Sequence, residues 1–147
     1  MALVLHLLIW AQLLPCTPTP KRDPLPGVDL VTGITPVWVS TADHWSTGPT
    51  KTLWIFRTTR QPVRIEGREL HSGARTRFQH GELDAPVTET MIISNPWRES
   101  VIPGGETWDL KNEYLFIPSY VFYPSQGCYE FNVERERSSH RIIVEVK

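Results

Sequence analysis

The sequence predicts an all-β domain, a sandwich or barrel of about 7–9 antiparallel strands. Two observations carry that prediction. Short runs rich in Val, Ile, Phe, Tyr, Trp and Thr alternate apolar with polar side chains, and Gly, Pro, Asn and Ser separate them at regular spacing. No stretch past the N-terminal leader shows helical periodicity. The 147 residues suffice for one domain, and a chain 40% hydrophobic and 21% charged has the composition of a folded protein rather than a disordered one. The expected strands are Thr35–Ser40, Thr52–Arg57, Pro62–Glu66, Ala74–Gln79, Thr88–Ile93, Tyr120–Tyr123, Cys128–Glu134 and Arg141–Val146, with a weaker one around Thr107–Leu110.

Two hairpins can be argued to the level of register. Val63 and Ile65 alternate with Arg64 and Glu66, while Ala74, Thr76 and Phe78 alternate with Arg75 and Arg77. Pairing Val63 with Phe78 and Ile65 with Thr76 keeps the arginines on one outer face and sets Glu66 opposite Arg75, a pair worth ~0.2–1 kcal/mol. Near the C-terminus, Tyr129, Phe131 and Val133 would meet Val146, Val144 and Ile142. That register places Glu134 against Arg141 and also Glu130 against Glu145, a repulsion of similar size. A one-residue slip in either hairpin would turn the polar side chains inward, so the faces are firmly specified. Thr52–Arg57 is apolar on both faces, through Leu53 and Ile55 and through Trp54 and Phe56, as in a central strand covered on both sides. The alternative use of Trp54 is to line a ligand surface.

The segment Pro124-Ser125-Gln126-Gly127-Cys128-Tyr129-Glu130-Phe131-Asn132-Val133 resembles the penultimate strand of many immunoglobulin-like domains, where Pro-x-x-Gly-x-Tyr enters the strand. It also resembles the Gly-Cys-Trp/Tyr segment of uncharacterised exported bacterial β-sandwich proteins and lipoproteins. The resemblance implies an immunoglobulin-like antiparallel β-sandwich in which Tyr129 buries its ring and bonds nearby backbone through its hydroxyl. It covers roughly the last 35 residues and says almost nothing about activity, because sandwiches host many functions.

Met1 to Pro15 reads MALVLHLLIWAQLLP, with no charged residue before Lys21. The run is shorter than the roughly 18–20 apolar residues of a membrane span and matches the core of a secretory signal, although no Lys or Arg precedes it. Leu13-Leu14-Pro15-Cys16 resembles the lipobox of bacterial lipoproteins, whose cysteine is acylated after cleavage; Pro15 departs from the small residue of that pattern. Cys16 is therefore a lipidation candidate, and membrane attachment through the N-terminus stands beside simple secretion. Pro15, Pro18, Pro20, Pro24 and Pro26 then mark an extended, semi-rigid spacer. The expected organisation is a signal over 1–16, a spacer over 17–34 and a β-sandwich domain over 35–147. A Cys16–Cys128 disulfide requires that Cys16 survive processing and that the spacer fold back.

No motif for catalysis or for a cofactor emerges. His44, His71 and His80 fall in expected loops, with Asp43 and Glu82 nearby, but no HExxH or HxH spacing joins them, so no metal is expected. No GxSxG elbow or glycine-rich phosphate cradle is present. Cys128 precedes Glu130, which raises rather than lowers a thiol pKa, so it is not read as a nucleophile. A net charge of −1 gives no reason to expect nucleic acid.

Charge is nevertheless uneven. From Lys51 to Arg77 seven basic residues face only Glu66 and Glu69, whereas Glu82 to Glu134 holds nine acids against Arg98 and Lys111. Ion pairs between the two halves are the plain explanation; a basic hairpin face of Arg64, Arg75 and Arg77 that binds an anionic surface or glycan is the functional one. Trp45 and Trp97 are the tryptophans expected on loops, where aromatic rings anchor sugars or partner proteins. The expected function is a non-enzymatic binding or accessory module of the cell envelope or extracellular space, with an envelope protein or glycan as partner. The alternative is a small metal-dependent or hydrolytic enzyme, which would need His44, His71 and His80 within ~5–6 Å of one point.

Overall fold

The computed structural model of the protein describes residues 15–22, 31–40, 45–82, 84–101 and 113–147. Two antiparallel sheets face each other as an all-β sandwich. Among the described residues ten strands build them: β1 (Lys21–Arg22), β2 (Val31–Ile34), β3 (Val37–Ser40), β4 (Thr50–Arg57), β5 (Val63–Glu69), β6 (Arg77–His80), β7 (Thr90–Ile93), β8 (Tyr114–Phe122), β9 (Gly127–Arg135) and β10 (Ser138–Val146). A short helical turn, α1 (Pro96–Glu99), follows β7. The larger sheet runs β1-β2-β3-β4-β8-β6 and the smaller β10-β9-β5-β7. The strand expected at Thr107–Leu110 and residues 1–14 of the expected signal lie outside the described residues.

Alternation explains which side chains turn inward. Val63, Ile65, Phe131, Val133, Ile142 and Val144 from the smaller sheet meet Trp54, Phe56, Phe78, Ile117 and Val121 from the larger. Aromatic rings hold the centre: Trp54 meets Phe131 edge-on at 5.1 Å, and Tyr123 meets Tyr129 at 4.9 Å. Trp54 is fully buried and its Nε1–H donates to Ser119 Oγ at 2.9 Å, so it belongs to the core and not to a ligand surface. The opposite face of β4 is covered too, because Ile55 packs with Val31, Trp38, Tyr114 and Phe116 in a second buried cluster.

Both hairpin registers differ from expectation by two residues while every face is kept. In β9–β10, Tyr129 opposes Val144, Phe131 opposes Ile142 and Val133 opposes His140. Glu136 and Arg137, with φ of 48° and 65°, close a two-residue turn whose left-handed conformation suits hairpin twist. Glu130 thus lies opposite Ile143 and escapes Glu145. In the earlier hairpin Arg68 bridges Arg75, and pairing ends there. The chain crosses to the larger sheet, where β6 pairs with β8 and not with β5.

β8 extends much further toward its N-terminus than expected, through Pro118. Leu53, opposite Pro118, sends its N–H away to Ser40 Oγ on β3 at 2.8 Å. At this pair the backbone polar groups point outward, so the donor that Pro118 lacks would have pointed toward β6, whose pairing stops at Ser119.

The leader is the largest departure. Val31–Ile34, read as spacer, is strand β2 and pairs with β3, so a domain edge at Thr35 would cut a hairpin. Cys16 is disulfide-bonded to Cys128, 112 residues away. Between them and β1, the Thr19 N–H donates to the Ile143 carbonyl and the Ile143 N–H to Thr19 Oγ1, both at 2.8 Å. Lys21 and Arg22 then pair with Thr32 and Val31. The segment 15–22 therefore straps the edge of the smaller sheet to that of the larger.

Two substitutions test this packing. A Cβ on Gly67 would stand 2.6 Å from the Phe131 ring, so Gly67→Ala is expected to cost about 1–3 kcal/mol in urea unfolding. The Tyr129 hydroxyl donates to the Ser125 carbonyl at 2.7 Å and accepts the Ser125 N–H at 3.1 Å. Tyr129→Phe should cost about 1 kcal/mol in the same measurement, without change of fold by circular dichroism.

Candidate functional site

Because successive strands from β4 to β9 change sheet, the connections gather at the two ends of the sandwich. One end holds the Cys16–Cys128 bond, the Leu70–Gly73 loop and the chain's last residue. The other is built from the β4–β5 loop, α1 and the Glu136–Arg137 turn. The Arg57 N–H donates to the Pro36 carbonyl at 2.9 Å and the Thr58 N–H to the Glu113 carbonyl at 3.1 Å. Arg135, only 5% exposed, donates to the Arg57 carbonyl at 2.6 Å and pairs with Glu136 at 3.2 Å. The Thr59 hydroxyl donates to Glu136 at 2.6 Å and accepts the Gln61 N–H at 3.1 Å.

This clamped loop presents Arg60 to α1. The short helix starts at Asn95, whose Oδ1 accepts the Arg98 N–H at 3.2 Å, and Pro96 fits the first turn because no N–H is needed there. Glu99 accepts the Asn95 N–H in return at 2.7 Å. Trp97 is thereby set beneath the Arg60 guanidinium, 4.7 Å from ring centre, and Arg57 stacks on Tyr114 at 4.6 Å. Beside this rim a depression of about 450 Å³ is lined by Pro62, Arg64, Glu136, Arg137 and Ser139.

The residues singled out in the sequence are distributed over the molecule. Trp97 and Arg64 border this end. Arg64 also pairs with Glu66 at 2.6 Å and Glu134 at 3.8 Å, and Arg75 shares the same Glu66 at 3.3 Å. Arg77 lies on β6 in the other sheet, its guanidinium 5.6 Å from the Phe122 ring centre. Arg64, Arg75 and Arg77 therefore form no single basic face, because the chain leaves the smaller sheet after Arg75. Trp45 sits at the opposite end, half-buried against the core, its Nε1–H 3.4 Å from the Tyr123 carbonyl. Part of the uneven charge along the chain resolves across the β5–β9 pairing, where Arg68 meets Glu130 at 3.4 Å and Arg64 meets Glu134 at 3.8 Å; Arg141 of β10 also pairs with Glu130.

The histidines stand apart. His71 is exposed in the loop beside Cys16 and Cys128, at a depression of about 420 Å³. His80 is on β6, with Nε2 2.9 Å from Glu99 and Nδ1 3.4 Å from the Pro118 carbonyl. His140, on β10, has its pKa lowered by burial and by the Arg135 charge. His44 lies outside the described residues. No group of three or more His, Cys, Asp or Glu arranged for a metal occurs among the described residues. The Arg60–Trp97 contact escaped the sequence reading, since only the loop fold brings the two together.

No protein-family model and no curated protein matches the chain. Among solved structures, the chain is similar to the one described as a "Putative Lipoprotein from Bacillus anthracis". The two share 13% identity and superpose with a TM-score of 0.59 over 90% of this chain and 87% of that one. At that identity the likeness is one of fold, and it agrees with a two-sheet β architecture.

Three carboxylates give the fold an acid limit. Burial pushes the Glu69 carboxyl up, but N–H donors from Ser72 at 2.5 Å and His71 at 2.9 Å outweigh it and leave the pKa below the usual 4.5. The Thr59 hydroxyl lowers that of Glu136, against burial and with help from Arg135. The Thr90 hydroxyl does the same for Glu66, again against burial, with Arg64 and Arg75 assisting. A depressed folded pKa gives stability that is present above the unfolded value and lost as pH falls through the folded one. Thermal melts should therefore fall on the order of 5 °C between about pH 5 and pH 3. Glu69→Gln should flatten part of that drop.

Proposed function

We propose that the chain is an exported, disulfide-closed binding or accessory module of the cell envelope or extracellular space, with an immunoglobulin-like sandwich and no chemistry of its own. The Cys16–Cys128 bond supports this reading most. Such a bond persists in oxidising compartments and is reduced in ordinary cytosol, so a fold that uses one to fasten its leader suits life outside the cytoplasm. The apolar segment before Cys16 and the fold likeness to a protein described as a lipoprotein point the same way. Recognition would reside at the loop end that carries Trp97 and Arg64, with Trp45 at the opposite end serving the core.

A second reading is favoured by the lipobox-like Leu13-Leu14-Pro15-Cys16 and by the same fold likeness. In it Cys16 carries a lipid and holds the domain at a membrane. The two fates compete for one sulfur, since a thioether at Cys16 leaves Cys128 as a free thiol. Intact-mass spectrometry of the mature exported protein, with thiol alkylation before and after reduction, decides between them. The disulfide reading expects no alkylation before reduction and modification of both cysteines after it. Alkylation of Cys128 without reduction contradicts that reading, and a diacylglyceryl mass on Cys16 would establish the anchor.

A further inference from the structure

The exposed arginines of this protein differ in what lies beside them. Those on the outer face of the smaller sheet are neutralised: Arg64 and Arg75 by Glu66, and Arg68 and Arg141 by Glu130. Arg77, over Phe122 on β6, is exposed and carboxylate-free; apart from it, Arg57, Arg60, Arg98 and Arg137 are exposed and have no carboxylate partner among the described residues. All four lie at the loop end, on the end of β4, the β4–β5 loop, α1 and the β9–β10 turn. The acids nearby are largely occupied. Glu136 is held by Thr59 and Arg135, Glu99 by His80 and the Asn95 N–H, and Glu134 faces Arg64 at 3.8 Å, which among the described residues leaves Glu113 as an exposed opposing charge.

We propose that this rim, Arg57, Arg60, Arg98 and Arg137, is a docking surface for a carboxylate-rich segment of a partner protein. The proposal rests on reading the domain as a binding module and names the class of partner. Arg57 and Arg60 lie over the Tyr114 and Trp97 rings, 4.6 and 4.7 Å from the ring centres, so each guanidinium has an aromatic support and no carboxylate partner among the described residues. A planar fork held in this way suits bidentate capture of a carboxylate, and the ordering cost is met before binding. The hydrogen-bonded loop beneath keeps the forks in place. Because the four cations come from four separate elements, with only Arg137 among them lining the depression of about 450 Å³, they suit a string of anions better than one small ion. The leader departs from the opposite end, at Cys16, so attachment through the N-terminus would hold the rim away from a bilayer.

The test uses the full oxidised chain and a fluorescent poly-glutamate peptide, read by anisotropy and tryptophan fluorescence. Binding is expected at low salt and should weaken on the order of tenfold between about 0.05 and 0.3 M salt. Replacing Arg57, Arg60, Arg98 and Arg137 together by Ser should weaken it at least about tenfold, whereas Arg75→Ser with Arg141→Ser should stay within about twofold. Arg98→Glu alone, at an exposed helix position, should weaken it about threefold and decides the matter if the fourfold variant does not fold. Absence of peptide binding, or equal binding by the folded variants, would overturn the proposal. So would tighter binding to phosphatidylglycerol vesicles or heparin than to the peptide, which would assign the rim to a lipid or a glycan. None of these outcomes bears on the state of Cys16, so failure here is separable from failure of the exported-module reading.

Discussion

Edge-to-face packing of Trp54 from the larger sheet against Phe131 from the smaller is the contact on which the rest of the architecture turns. Each ring sits on a strand that is central in its sheet, and each is flanked by Phe78 and by aliphatic side chains of the same phase. With those two rings inward, strand alternation sends Arg64, Arg68, Glu130 and Glu134 outward. It also requires a glycine at position 67, where the Phe131 ring comes against the β5 backbone. The outer ion pairs are a consequence of that geometry. Being mostly exposed, they set register and solubility more than they add stability.

The same geometry separates structural charge from available charge. Where β5 and β9 lie side by side, the basic and acidic stretches of the chain neutralise each other across the strands. At the loop end Arg57 and Arg60 rest on aromatic rings instead of carboxylates. The buried Arg135 acts there as a structural pin, joining β9 to the carbonyl at the end of β4. Exposed arginines above it gain a rigid base. The opposite end is tied by covalent chemistry, with the leader drawn along β10 and onto β2. A sandwich so arranged has one end closed by a disulfide and the other by hydrogen bonds from Arg135 and Thr59.

Much of this was legible in the sequence, and the remainder was hidden for identifiable reasons. Period-two patterning assigned the inward faces of both hairpins correctly. It could not fix their registers, because a shift that preserves parity keeps Val63, Ile65, Phe131 and Val133 inward. Turn chemistry decides such cases, and Glu136–Arg137 adopts left-handed conformations without the Gly or Asn that normally advertises them. The N-terminal half of β8 was concealed by Pro118 and by a Leu115-Phe116-Ile117 run apolar on both faces. Leader residues rich in proline read as a spacer, yet Thr19 and Val31–Ile34 contribute backbone hydrogen bonds that composition does not reveal. Trp97 and Arg64 could be named beforehand; the stacking of Arg60 on Trp97 could not, since it depends on a loop whose shape is set by Thr59, Glu136 and Arg135.

The inter-sheet contact is open to direct observation in solution. Nuclear Overhauser spectroscopy on the oxidised protein should give cross-peaks between the Trp54 indole and Phe131 ring protons, whose centroids lie 5.1 Å apart. Strong Trp54–Phe131 cross-peaks accompanied by backbone contacts between Phe131 and Ile142 are the predicted result. Their absence, with Phe131 instead opposite Val144, would contradict the packing from which every other feature follows.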